Sequence, residues 1–116
     1  GDIFNANVEI FNCTIADNND GLTIAQFDNI IDIENSIVFD NVNTFNGATN
    51  TYSISYSNIQ GGFSGTGNIN KDPKFCDNIN YQYYLLEGSP CIDAGDPDFT
   101  DADDTRLDMG CYPTTT

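Results

Sequence analysis

Three segments of this chain repeat one pattern: Val8 to Asn18, Ile31 to Asn41 and Tyr52 to Gly62. Equivalent residues lie 23 and then 21 positions apart. Each segment opens with an alternating apolar pair (Val8/Ile10, Ile31/Ile33, Tyr52/Ile54). A polar bend follows at Asn12-Cys13, Asn35-Ser36 and Tyr56-Ser57. A further apolar residue comes next (Ile15, Val38, Ile59), then a turn at Asp17-Asn18, Asp40-Asn41 and Gly61-Gly62. A fixed period of this size is the signature of stacked coils, each unable to bury its apolar face alone. About 22 residues is too short for a strand–helix unit, which takes about 30. The period predicts an all-strand coil whose successive turns pair in parallel, with Leu22-Thr23-Ile24 and Thr44 to Gly47 closing each coil on a third face.

Composition agrees. Leu is rare, and the apolar residues are mostly Ile, Val, Phe and Tyr, which pack well on a pleated surface. Stretches with helical apolar spacing are missing, so long helices are not expected. Asn suits the bends twice over: it tolerates left-handed backbone, and stacked in register its amide can bond the equivalent group one coil away. The small residues Cys13, Ser36 and Ser57 fall in one column. After Gly62 the pattern breaks into a glycine-rich stretch, Gly61 to Gly67. With no Gly-Lys-Ser/Thr after it, this is a connection and not a phosphate loop.

The net charge is −15, with Lys71, Lys74 and Arg106 as the only basic residues. That argues against nucleic-acid binding, which needs clustered Lys and Arg. It also argues against anionic surfaces unless a divalent cation bridges them. No stretch approaches the roughly 18 apolar residues of a membrane span. The absence of His excludes His-based catalysis and His-ligated zinc. Four cysteines beside so few lysines suit an oxidising, secreted setting. Gly1 is not an initiator Met, so the chain reads as a processed product or a piece of something longer.

Two constellations could carry chemistry. Seven Asp fall between Asp93 and Asp108. Such density invites neutralisation by Ca²⁺, which takes six to eight oxygen ligands in flexible geometry. The Asp-x-Asp alternation points to Asp98, Asp101, Asp103 and Asp108 as ligands, while a bare acidic loop would use Arg106 as its counter-charge. Residues 72–92 are apolar again. Their tyrosines, Tyr81, Tyr83 and Tyr84, suit a sugar-stacking platform or, more simply, a cover for an exposed end of the core. Paired acids could also mean glycoside hydrolysis, but these acids sit in one local loop and not in a column across coils. Lyases on such coils need a positioned Arg or Lys base, and the repeats contain none. No catalytic residue is assigned.

Further motifs lie in Gly67-Asn68-Ile69-Asn70-Lys71-Asp72-Pro73-Lys74-Phe75-Cys76-Asp77, in Tyr84 to Pro97 with Ser89-Pro90-Cys91-Ile92-Asp93-Ala94-Gly95-Asp96-Pro97 at its centre, and in Asp101 to Tyr112. Taken with the upstream repeats, this end resembles the C-terminal part of secreted bacterial right-handed parallel β-helix surface proteins. These are the polymorphic outer-membrane-like, choice-of-anchor and pectate-lyase-like chains. The acidic loop departs from the family's Asp-x-Asp-Gly-x-x-Arg, since Asp104 stands in place of the Gly. The resemblance implies a mostly architectural end that closes the coil. The family pattern often carries both Cys76 and Cys91. A bridge between them would staple the cap, worth about 3 kcal/mol on a loop-entropy account. Cys91 with Cys111 is the rival pairing, and a buried free thiol is the default for Cys13.

The expected fold is therefore all-β: a short right-handed parallel β-helix of about three coils with an irregular, disulfide-stapled C-terminal cap. Residues 1–67 form the coils, 68–113 the cap with its acidic loop, and 114–116 a Thr-rich tail or linker start. The expected function is a non-catalytic, secreted or cell-surface structural module, adhesin-like or part of a matrix. Nothing before Val8 reads as a cap, so the first coil needs preceding coils of a longer chain or another copy. Head-to-tail stacking of copies would give an extracellular filament. Glycan binding, or a remnant polysaccharide-degrading domain, is the remaining alternative.

Overall fold

The computed structural model describes residues 7–24, 30–47, 51–77, 82–102 and 104–110. The described chain is all-β, with parallel sheets and no helix among the described residues. Each repeat supplies up to three short strands: β1 (Asn7–Phe11), β2 (Thr14–Ala16) and β3 (Asp20–Ile24) from the first, β4 (Ile30–Glu34), β5 (Ile37–Phe39) and β6 (Asn43–Gly47) from the second, and β7 (Thr51–Ser55) with β8 (Asn58–Ile59) from the third.

Equivalent strands stack into three parallel sheets, ordered β1-β4-β7, β2-β5-β8 and β3-β6. Val8 pairs Ile31, and Ile31 pairs Tyr52; Ile10, Ile33 and Ile54 form the next column, and Ile15, Val38 and Ile59 another. These are the offsets of 23 and 21 that the repeat predicts. A slip by one residue would turn each apolar column outward, so the alternation pins the register.

The corners also recur. Asn12, Asn35 and Tyr56 hold left-handed backbone at the first bend (φ 55°, 56° and 49°), and Asp17, Asp40 and Gly61 at the second turn (φ 58°, 58° and 89°). Asn and Asp tolerate that region; Tyr56 occupies it without such help, its N–H bonded to the Thr66 carbonyl at 2.8 Å. After each first bend a side chain from the next stretch of chain accepts from the backbone of the repeat before. The Cys13 N–H donates to Ser36 Oγ, Ser36 N–H to Ser57 Oγ, and Ser57 N–H to Asn68 Oδ1, at 3.2, 3.2 and 3.1 Å. At the second turn, Asn18 N–H donates to Asn41 Oδ1 at 3.0 Å, and the Asn41 amide donates to the Ile15 carbonyl.

Two apolar clusters result. Ile31, Ile33, Val38, Ile54 and Ile59 form the inner one, each residue at most 4% exposed. At about 1.5–3 kcal/mol per buried side chain, it is a main favourable term in folding. Phe63 packs against this core and meets Tyr52 edge-to-face, ring centres 6.1 Å apart. The glycine-rich stretch therefore brings in a residue that packs on the third-repeat side of the core, beyond serving as a connection.

Parallel pairing also runs past the expected boundary at residue 67. Ile69 bridges Asn58, and the Ile59 and Ile69 N–H groups bond across at 2.9 Å each. A fourth, abbreviated turn thus follows at an offset of 11.

The second cluster is Ile37, Phe75, Leu85, Cys91 and Met109. It lies on the other face of the β2-β5-β8 sheet, because Ile37 and Phe39 alternate with the inward Val38. The C-terminal segment, with the antiparallel pair β9 (Phe75–Asp77) and β10 (Gln82–Leu85), thus lies along the flank of the coils. The sequence had suggested an end cover. Strand β5 is consequently apolar on both faces.

Candidate functional site

The acidic segment gains its shape from backbone pairing. Met109 N–H donates to the Cys91 carbonyl at 3.0 Å and Gly95 N–H to the Leu107 carbonyl at 2.7 Å. Between these two links, Asp93 N–H donates to Asp108 Oδ1 at 2.7 Å. Leu107 N–H bonds the Phe99 carbonyl, Thr100 bridges Arg106, and Asp101 N–H reaches the Thr105 carbonyl, so 99–101 and 105–107 run antiparallel. Asp104 sits between them with φ 63°. Asp is among the few residues other than glycine that adopt this left-handed backbone readily.

Folding back in this way brings Asp93, Asp101 and Asp108 together. Each contributes a carboxylate oxygen within 4.8 Å of the others. Asp108 is buried at 3% exposure, Asp101 is half-buried and Asp93 is exposed. Asp101 Oδ2 also accepts from the Asp108 N–H at 3.0 Å, which fixes the pair. Oxygen-only donors in a loop are the chemistry of a hard divalent cation.

Of the four expected ligands, Asp101 and Asp108 converge. Asp98 is exposed, its backbone N–H donating to Asp96 Oδ1 at 2.9 Å, and Asp103 lies outside the described residues. Asp93 joins Asp101 and Asp108, because 91–95 pairs with 107–109, and no local alternation reveals such pairing. Arg106 is held close by: its Nε donates to the Gly95 carbonyl at 2.7 Å, and its guanidinium lies 6.0 Å from the centre of the Tyr56 ring.

Asn35 sews this loop to the coils. Its Oδ1 accepts from the Asp96 N–H at 2.6 Å, and its carbonyl accepts from Gly110 N–H at 2.7 Å. Gly110 has φ 94°, and a Cβ there would stand 2.8 Å from Ile37 Cδ1 and from Thr14 Oγ1. Only glycine lets the loop lie this close to the sheet. Docking also sets Glu34 against Asp96. A hydrogen bond with the Asp96 carboxyl is the first cause raising the Glu34 carboxyl above its usual range, followed by burial and the charges of Asp96 and Asp32. A second acidic group stands at the other turn column. Burial first, then the charges of Asp17 and Asp72, push Asp40 upward.

The tyrosines do not form one platform. Tyr83 is half-buried, edge-to-face on Phe75 at 5.1 Å, and its hydroxyl donates to Asp17 Oδ2 at 2.6 Å. It ties the flank segment to the first repeat. Tyr84 is exposed, and Tyr81 lies outside the described residues.

The expected Cys76–Cys91 bridge is not formed, since Cys91 carries a free, fully buried thiol that accepts from the Asn58 amide at 3.2 Å. The same amide also donates to the Lys71 carbonyl at 2.7 Å. Burial pushes the Cys91 thiol up, against the opposite pull of its hydrogen bonds to Asn58 and Ser89. The buried sulfur packs as a small apolar group beside Ile37, Phe75, Leu85 and Met109. Cys13 is also free. The side chain of Cys76 lies outside the described part of the structure, as do Cys111 and the Thr tail. No family model, curated protein or solved structure matches the chain.

Proposed function

We propose that the chain is a non-catalytic structural module: a short parallel β-helix belonging to a secreted or cell-surface protein. The observation that carries this reading is the stacking itself. Three parallel sheets share one register, with corner residues and side-chain hydrogen bonds repeated coil by coil. Such an array is a scaffold whose stability grows with nearest-neighbour interfaces. Secretion rests on the four cysteines beside so few lysines and on the resemblance of the C-terminal motifs.

The reading is tested by offering the purified chain acidic and neutral polysaccharides and following unsaturated products and reducing ends. Product no faster than the buffer background is the expected result. Turnover that Asp101→Asn or Glu34→Gln abolishes would overturn it.

A second reading, self-stacking into a fibre, is favoured by one further observation. Strands β1, β2 and β3 each have a neighbour on one side only among the described residues. Such edges pair readily with another strand set. Light scattering at rising concentration distinguishes the readings: growth into long particles supports the fibre, and a constant monomer mass removes it. In either form, Asp93, Asp101 and Asp108 would hold a structural Ca²⁺ that pins the acidic loop.

A further inference from the structure

A cleft of about 320 Å³ opens where the acidic loop docks on the coils. Its floor comes from the first bend of two successive coils, with Phe11 and Asn12 from one and Glu34 from the next. Its far wall is Phe99, Thr100 and Leu107 of the acidic loop. Phe11 and Phe99 are 47% and 57% exposed, in a chain whose inner core is almost wholly buried. The cleft thus joins two accessible rings to a carboxyl group.

We propose that this cleft binds a small organic cation: a guanidinium or alkylammonium group carried on a short apolar stem. Charge complementarity argues for that occupant. Glu34 faces Asp96, and like charges this close favour a shared proton or a neighbouring positive charge. A ligand cation supplies the charge. Arg106 is not among the residues that line the cleft, and its Nε is directed to the Gly95 carbonyl.

Aromatic faces favour cations with a planar or methylene-bearing head. Asn12 and Thr100 add neutral polar groups at the rim. The volume matches a molecule of side-chain size, at the lower end of small-ligand sites. A net charge of −15 concentrates cations around the whole molecule, raising the encounter rate. The proposal is independent of the structural reading above, since a scaffold and a polysaccharide enzyme could both carry such a cleft.

The probe is Nα-acetyl-arginine methylamide, with the citrulline analogue as its neutral isostere, titrated into ¹⁵N-labelled chain at fixed ionic strength. The expected result is saturable shifts of the Asn12, Glu34 and Thr100 amides, with a dissociation constant on the order of 1 mM for a ligand of this size. The citrulline analogue should leave those signals unmoved. Glu34→Gln, which relieves a carboxyl–carboxyl contact and so keeps the fold, should weaken binding about tenfold or more. Phe99→Leu should weaken it by about threefold, the worth of an exposed cation–π contact. Equal shifts with citrulline, unchanged affinity in Glu34→Gln, or no saturable shift up to about 20 mM, some twentyfold above the expected constant, would each overturn the proposal.

Discussion

Ser57 carries more of the fold than its size suggests. It is fully buried, accepts from the Ser36 N–H at 3.2 Å and donates to the Ser55 carbonyl at 2.9 Å. Ser57→Ala leaves a buried N–H without its acceptor, so urea unfolding should show a loss of about 1–3 kcal/mol. A loss below about 0.5 kcal/mol, the size of a neutral surface change, would mean that the column is incidental. Glu34 and Asp40 act in the other direction. Both hold their proton more tightly in the folded chain than in the unfolded one. Their contribution to stability therefore falls as pH rises from the ordinary carboxyl range, about pH 4, through the raised folded values. Glu34→Gln and Asp40→Asn lack that fall. Their melting temperatures should exceed the parent's at pH 7, by no more than about 4 °C because solvent screens these groups, and the gap should close towards acid. A gap that widens on acidification would contradict the assignment.

At the scale of elements, β5 separates two layers. Val38 faces the inner core, while Ile37 faces Met109, Cys91 and Phe75. Either truncation to Ala should cost about 2–5 kcal/mol if the surroundings do not collapse. Their hydrogen-exchange signatures should differ. Ile37→Ala should speed exchange at Met109 and Gly95, whose N–H groups hold the flank loop, and leave Ile33 and Ile54 protected. Val38→Ala should expose both sets. Identical exchange patterns would mean that coil and flank unfold as one unit. The coil strands were legible beforehand, because an apolar alternation with a fixed offset leaves few other registers. The flank was harder to read. Ile37, Ala16 and Phe39 mark an outer apolar face, yet nothing local says which segment covers it. The tyrosines show the same limit: Tyr83 and Tyr84 are adjacent in the chain, but packing buries one ring and exposes the other.

At the scale of the whole molecule, the acidic loop joins parts far apart in the chain, since Asp96 and Gly110 both bond Asn35. If Ca²⁺ occupies the Asp93–Asp101–Asp108 trio, it binds the folded chain and raises its stability. The gain is about 2.7 kcal/mol at a hundredfold excess over the dissociation constant. Calcium titration followed by thermal melting should show the rise, and chelator should reverse it. Asp108→Asn and Asp93→Asn should abolish it, whereas Asp98→Asn should keep it. Loss of the effect in Asp98→Asn alone would restore the ligand set that spacing suggested.

By itself, the sequence determined the stacked parallel strands: their period, their inward columns and their corners. Those features repeat along the chain, and a repeated local pattern can satisfy only a repeated local geometry. Tertiary structure alone decided the rest. It placed the C-terminal segment on the flank, left Cys91 a free thiol against Asn58, brought Asp93 beside Asp101 and Asp108, and opened a cleft beside Glu34. Each of these depends on one unrepeated contact between distant segments. Such a contact is set by which surfaces best exclude water and satisfy backbone groups, and no periodicity announces it.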